Sequence, residues 1–173
     1  MKELLDHDTY IINDTGNDIY IIKSEDGNEL GNAKLYVEKL LKFTFFTNLY
    51  DSRGYKWGTV KGKFHIASRG GYTLYDQNDL AIARIKIKGW FRPSYWIEDR
   101  EGKKIYEISV KSGWSECKIT DLNGSIVAQS SYSKESYTLK ILNLKTLVAL
   151  LITLMIYMER VRENISTSYY PIY

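Results

Sequence analysis

Five times the chain passes from an apolar stretch through a turn rich in Asp, Asn and Gly into another apolar stretch. The phrases are Glu25-Asp26-Gly27-Asn28, Tyr50-Asp51-Ser52-Arg53-Gly54, Tyr75-Asp76-Gln77-Asn78-Asp79, Glu98-Asp99-Arg100-Glu101-Gly102 and Thr120-Asp121-Leu122-Asn123-Gly124. Their aspartates, at 26, 51, 76, 99 and 121, stand 25, 25, 23 and 22 residues apart. Asp and Asn side chains accept hydrogen bonds from nearby backbone, and Gly and Asn tolerate positive φ, so each phrase predicts the tight turn of a β-hairpin. Helical repeats of similar period would not carry a turn in the middle of every unit.

The flanks alternate as half-buried strands do. In 59–66, Val60, Phe64 and Ile66 share one face, and Lys61, Lys63 and His65 share the other. Ile85 and Ile87 oppose Arg84, Lys86 and Lys88 in the same way, and Tyr106 to Lys111 repeats the pattern. With Tyr10-Ile11-Ile12, Ile19 to Ile22 and Tyr137 to Ile141, the reading predicts roughly ten to twelve antiparallel strands, which favours a closed barrel or a sandwich. Closure also removes exposed sheet edges.

The chain then changes character: residues 146–158 are apolar on every side, bounded by Lys145 and by Glu159, Arg160 and Arg162. As a helix this run is about 20 Å long, short against about 30 Å of bilayer hydrocarbon. An all-round apolar helix of that length is expected in a protein core. The alternative is a membrane span over 141–158, which must include Asn143 and Lys145.

A length of 173 residues suits one domain. Cys117, the single cysteine, excludes an internal disulfide framework and a Cys-rich zinc module. No apolar segment follows Met1 to Asp6, so no ordinary secretory leader is read and a cytoplasmic location is expected. Catalytic constellations are thin. His7 and His65 are the two histidines, and no neighbour marks Cys117 as activated. Gly58 to Phe64 has too few residues between its glycines for a phosphate loop, and Phe64 stands where a magnesium-binding hydroxyl belongs. The oxygen-rich segments 13–18 and 76–79 lack the bidentate Glu of a calcium loop and read as turns. The expectation is a protein that is not an enzyme and uses no metal or cofactor.

Charge is unevenly placed. Residues 1–52 carry net −5, residues 53–118 net +7 and residues 119–173 net +1. Within the basic third, Lys61 and Lys63 share one strand face and Arg84, Lys86 and Lys88 share another. Like charges gathered on a sheet face are unfavourable unless a partner or counter-ions offset them, so these five are the candidate binding residues. Trp90, Phe91, Pro93, Tyr95 and Trp96 add aromatic side chains to the same stretch, in the style of a membrane interface or of core packing. Nucleic acid ranks last as a partner, because the whole chain is only +3.

The hairpin phrases 97–106 and 119–127, together with the apolar run 146–158, resemble the tubby-like superfamily, which includes tubby C-terminal domains, phospholipid scramblases and LURP-one-related proteins, here in a bacterial-type member. The resemblance implies a closed antiparallel barrel of about twelve strands around a central hydrophobic C-terminal helix. That makes residues 1–162 one barrel domain and 163–173 a tail. It also implies a surface that engages anionic phospholipid headgroups or a protein partner at the membrane, since tubby domains bind phosphoinositides through basic side chains on the barrel. The alternative it leaves open is a membrane-anchored, scramblase-like protein with 141–158 in the bilayer.

Overall fold

A computed structural model of the chain describes residues 7–38, 43–64, 71–88, 94–111, 115–133, 136–143 and 147–168, with the side chains of 37, 38, 43–45, 63, 64 and 159–168 outside that description. The alternating segments form twelve strands: β1 (Thr9–Asp14), β2 (Ile19–Ser24), β3 (Glu29–Glu38), β4 (Phe43–Asp51), β5 (Lys56–Phe64), β6 (Gly71–Tyr75), β7 (Ala81–Lys88), β8 (Ser94–Asp99), β9 (Lys104–Val110), β10 (Glu116–Asp121), β11 (Ile126–Ser133) and β12 (Ser136–Ile141). Helix α1 (Val148–Ser168) follows them. Each strand pairs antiparallel with the next, and β1 pairs with β12, Thr9 opposite Lys140 and Asn13 opposite Ser136, so the sheet closes into a barrel.

The hairpin turns share one construction. In the turn after β4, the Asp51 amide donates to the Tyr55 carbonyl (3.0 Å) and the Gly54 amide donates to the Asp51 carbonyl (3.0 Å). Asp51 Oδ1 accepts from the amides of Arg53 and Tyr55 at 3.0 and 2.9 Å. Gly54 sits at φ 82°, the left-handed residue that closes a three-residue loop with a bulge. Asp76, Asp99 and Asp121 build the same turn, each with its carboxylate holding the amide four residues on. The first hairpin corrects the expected phase. The residue in the aspartate's position there is Ser24, whose amide donates to the Asn28 carbonyl, while Asp26 stands inside the loop next to Gly27 at φ 83°. The positive-φ residue three places after the turn's first residue is common to all five loops: Gly27, Gly54, Asp79, Gly102 and Gly124. Because these five turns all follow even-numbered strands, they lie together at one end of the barrel, which we term the hairpin end.

The inward faces of the strands carry Tyr10, Ile12, Tyr20, Ile22, Leu49, Ile85, Ile97, Ile119, Tyr137 and Leu139, all buried. The chain leaves β12 at the hairpin end and turns back as α1. Residues 147 to 156 are buried without a break, as is Met158. Successive residues of a helix point about 100° apart, so burial at every position requires protein all round. The helix packs on β12 and β1 and also on β5 and β6, which lie across the barrel from them. It therefore occupies the lumen. Tyr157 meets Tyr72 of β6 with ring centroids 5.0 Å apart. The helical backbone continues beyond residue 158 as far as Ser168, into the segment 163–173 that the sequence reads as a tail. No helix among the described residues is long and apolar enough to cross a membrane.

Candidate functional site

Pairing register decides what the basic residues can do together. Lys61 of β5 lies opposite Thr73 of β6, which lies opposite Arg84 of β7. One row further from the hairpin end, Lys63 faces Gly71, which faces Lys86. The two basic strands are thus not neighbours: β6 separates them, leaving roughly 10 Å between their backbones. The strands β5, β6 and β7 together hold Lys56, Lys61, Lys63, Arg84, Lys86 and Lys88 and no carboxylate. Between the two basic strands, β6 offers only Thr73 and the side-chain-free Gly71 to these rows.

The individual residues differ. Lys61 is half-buried, with Nζ 4.5 Å from the centroid of the Tyr75 ring, a cation–π contact that keeps the ammonium over the wall rather than free in solvent. Lys86 Nζ is 3.9 Å from Glu98 Oε2 on β8, a long and weak pair; the other carboxylate oxygen of Glu98 accepts from Trp96 Nε1 at 2.8 Å. Arg84 and Lys88 are exposed and make no ion pair among the described residues. The backbone of Lys63 lies in β5, but its side chain is outside the described residues, as are His65, Trp90, Phe91, Arg92 and Pro93. Tyr95 packs inward against the core rather than joining the surface.

A depression of about 340 Å³, open to solvent, adjoins the basic wall. Tyr36, Phe46, Asn48, Lys56, Thr59, Lys61 and Asp79 line it. The Thr59 hydroxyl donates to Asn48 Oδ1 (2.9 Å), and Lys34 Nζ lies 5.5 Å from the Tyr36 ring centroid. Sequence reasoning missed Tyr36 and Phe46, because they come from β3 and β4 and join Lys61 only through cross-strand pairing, and it missed Lys56, which begins β5 just after the turn, and Lys34, which lies over Tyr36. The one available signal was parity: the turn at 51–55 sets β4 against β5, which brings Phe46 opposite Lys61.

Cys117 is buried, and burial pushes its thiol up to about 12, so it is a neutral core group near neutral pH and not a thiolate. Tyr72, Tyr95 and Tyr157 form a buried cluster whose hydroxyls are raised, first by desolvation and then, for Tyr72 and Tyr95, by the neighbouring Tyr157. No group of three or more His, Cys, Asp or Glu residues placed to hold a metal ion occurs among the described residues.

No protein-family model and no curated protein matches the chain in sequence. A search of solved structures finds the X-ray structure of protein AT5G01750 from Arabidopsis thaliana, with a TM-score of 0.61 and 15% identity, covering 88% of this chain and 90% of that one. At that identity the likeness shows a shared fold, which is a relation at the level of architecture. The barrel with its helix in the lumen has the architecture that the resemblance to the tubby-like superfamily implies.

Proposed function

We propose that this chain is a non-enzymatic, tubby-like binding module of bacterial type that engages anionic phospholipid headgroups at the cytoplasmic face of a membrane. The observation that carries the reading is that β5, β6 and β7, three adjacent strands, hold six cations and no carboxylate. A barrel whose lumen is filled by its own helix leaves the outside for ligands. Near an anionic leaflet each exposed basic side chain contributes about 1 kcal/mol, so Lys61, Lys63, Arg84, Lys86 and Lys88 acting together suffice for reversible, salt-sensitive attachment. Burial of 147–156 and of Met158 inside the barrel disfavours the membrane-anchored alternative over 141–158.

The test is co-sedimentation with phosphatidylserine-containing vesicles at low and moderate salt. Lys61→Gln, Arg84→Gln and Lys88→Gln, made together with Lys86 retained as the Glu98 partner, remove about 3 kcal/mol and weaken binding about a hundredfold. The melting temperature stays nearly unchanged. Undiminished binding by the triple variant refutes the site, and binding to an acidic protein but not to vesicles assigns the wall to a protein partner instead.

A further inference from the structure

The basic wall has an apolar edge. Where β5 to β7 meet the hairpin end, three large apolar side chains stand out of the surface: Tyr55 at 70% exposure closes the β4–β5 turn, Leu80 at 64% closes the β6–β7 turn, and Ile82 at 40% follows on β7. The two turns are side by side, since β5 pairs with β6 and Lys56, next to Tyr55, and Asp79, next to Leu80, line the same depression. Ile82 is two residues before Arg84 on β7, so it belongs to the same outer face one step nearer the hairpin end. Read along the wall from that end, the order is Tyr55, Leu80 and Ile82, then Lys61 and Arg84, then Lys86, then Lys88. Exposing three such side chains together costs hydration free energy that a partner would recover. A turn-borne Leu and Tyr in front of three strands that carry cations and no carboxylate match a surface that is apolar below and anionic above.

We infer that Tyr55, Leu80 and Ile82 enter the acyl boundary of an anionic bilayer while the cations of β5 and β7 remain at headgroup depth. This inference rests on the proposed lipid-binding function and adds the orientation: the barrel lies with its β5–β7 wall on the membrane and its hairpin edge dipped into it. Interfacial docking of this kind combines buried apolar area with attraction to acidic lipid. The opposite side of the hairpin end supplies an internal control. Leu122 is also exposed in a turn, but its strands β10 and β11 lie far around the barrel from β6 and belong to no basic wall.

The experiment uses the full chain carrying an environment-sensitive fluorophore at Leu80→Cys or at Leu122→Cys; the native Cys117 is buried and does not compete for label under native conditions. With vesicles of phosphatidylcholine and phosphatidylserine, a blue shift is expected at position 80 and none at 122. A second variant, Tyr55→Ser with Leu80→Ser and Ile82→Thr, is expected to bind these vesicles at least about tenfold more weakly, since it loses most of the inserted apolar area. Salt-reversible co-sedimentation with no shift at position 80 overturns the insertion and leaves headgroup binding standing. A shift at 122 in place of 80 overturns the orientation. Absence of vesicle binding at low salt overturns both the insertion and the function on which it rests. A shift at position 80 that appears with rising protein concentration and no vesicles assigns the edge to a second copy of the chain and also overturns it.

Discussion

Leu150, Leu151 and Ile152 are fully buried and successive on α1. On a helix lying across the outside of a barrel, at least one of three successive residues faces away from the protein, because they point about 100° apart. Truncating each in turn to Ala therefore discriminates a helix in the lumen from one on the surface. Removing a buried Leu or Ile side chain costs 2–5 kcal/mol through lost transfer free energy and the cavity left behind, and about 3 kcal/mol is expected at each of these sites. The helix touches walls on both sides, so neither side can follow the truncated residue inward without leaving the other. For a chain of this length about 3 kcal/mol corresponds to a fall of roughly 6–12 °C in Tm. Urea unfolding followed by circular dichroism and by tryptophan fluorescence gives the three free energies. All three costing 2 kcal/mol or more, with unchanged slope, is the expected result. One value below about 1 kcal/mol, with the other two large, refutes burial on every side. Leu151→Asp goes further, placing an unpaired charge in the lumen, and is expected not to accumulate as folded protein.

The turns and the core give three more predictions. Asp79 holds φ 59° in the position that Gly occupies in the other four turns, so Asp79→Gly is expected to raise stability by about 0.5–1 kcal/mol by thermal melting; unchanged or lower stability contradicts the strain. A Cβ at Gly31 would lie 2.1 Å from the Tyr50 carbonyl oxygen of the paired strand, so Gly31→Ala is expected to cost about 3 kcal/mol or to prevent accumulation, and a neutral effect in urea unfolding would count against the close β3–β4 approach. The Cys117 thiol, ordinarily near 9.0, is raised to about 12 by burial. Both folded and unfolded chains hold this proton below pH 9; above it the unfolded chain releases the proton first, and stability falls as pH rises from 9 to 12 by about 1 kcal/mol per pH unit. Unfolding free energies measured across that range decline less steeply in Cys117→Ala, and parallel slopes refute a buried neutral thiol.

How far sequence led to structure depended on how local the determining interaction was. The alternation of Ile85 and Ile87 against Arg84, Lys86 and Lys88 placed these residues correctly on two faces, because a strand's period of two needs no partner to be read. The turn construction was legible at Asp51, Asp76, Asp99 and Asp121, where the carboxylate and the positive-φ residue, Gly or Asp79, act within five residues. It slipped at the first hairpin, where Ser24 takes the Asp position and Asp26 is a loop residue. The central helix was legible because its run is apolar on every side, whereas the strands around it are apolar on only one. What the sequence withheld was adjacency. The hairpin turns align β4 with β5 and β6 with β7, but the chain between β5 and β6 lacks the Asp-led phrase that fixes register at those turns. Nothing in the letters therefore says that Tyr75 would lie under Lys61, or that β6 would separate the two basic strands with Thr73 and Gly71.

The lumen helix also sets an order of events for a chain made from its N-terminus. The eleven hairpin pairings join strands that are neighbours in the chain and can form as they emerge, but Thr9 must wait for Lys140 before the ring closes. Residues 147–158, which fill the ring, come later still. Throughout that interval the inward faces of Tyr10, Ile12, Tyr20 and Ile22 have no final partner, so an incomplete chain presents an open, apolar trough of strands. Such a species has unpaired edges at β1 and at its newest strand, the features most prone to pair with another chain. Pairing of β12 with β1 removes those edges and the helix then fills the trough, so a nascent chain halted before residue 136 carries both hazards at once and is the form most in need of a chaperone.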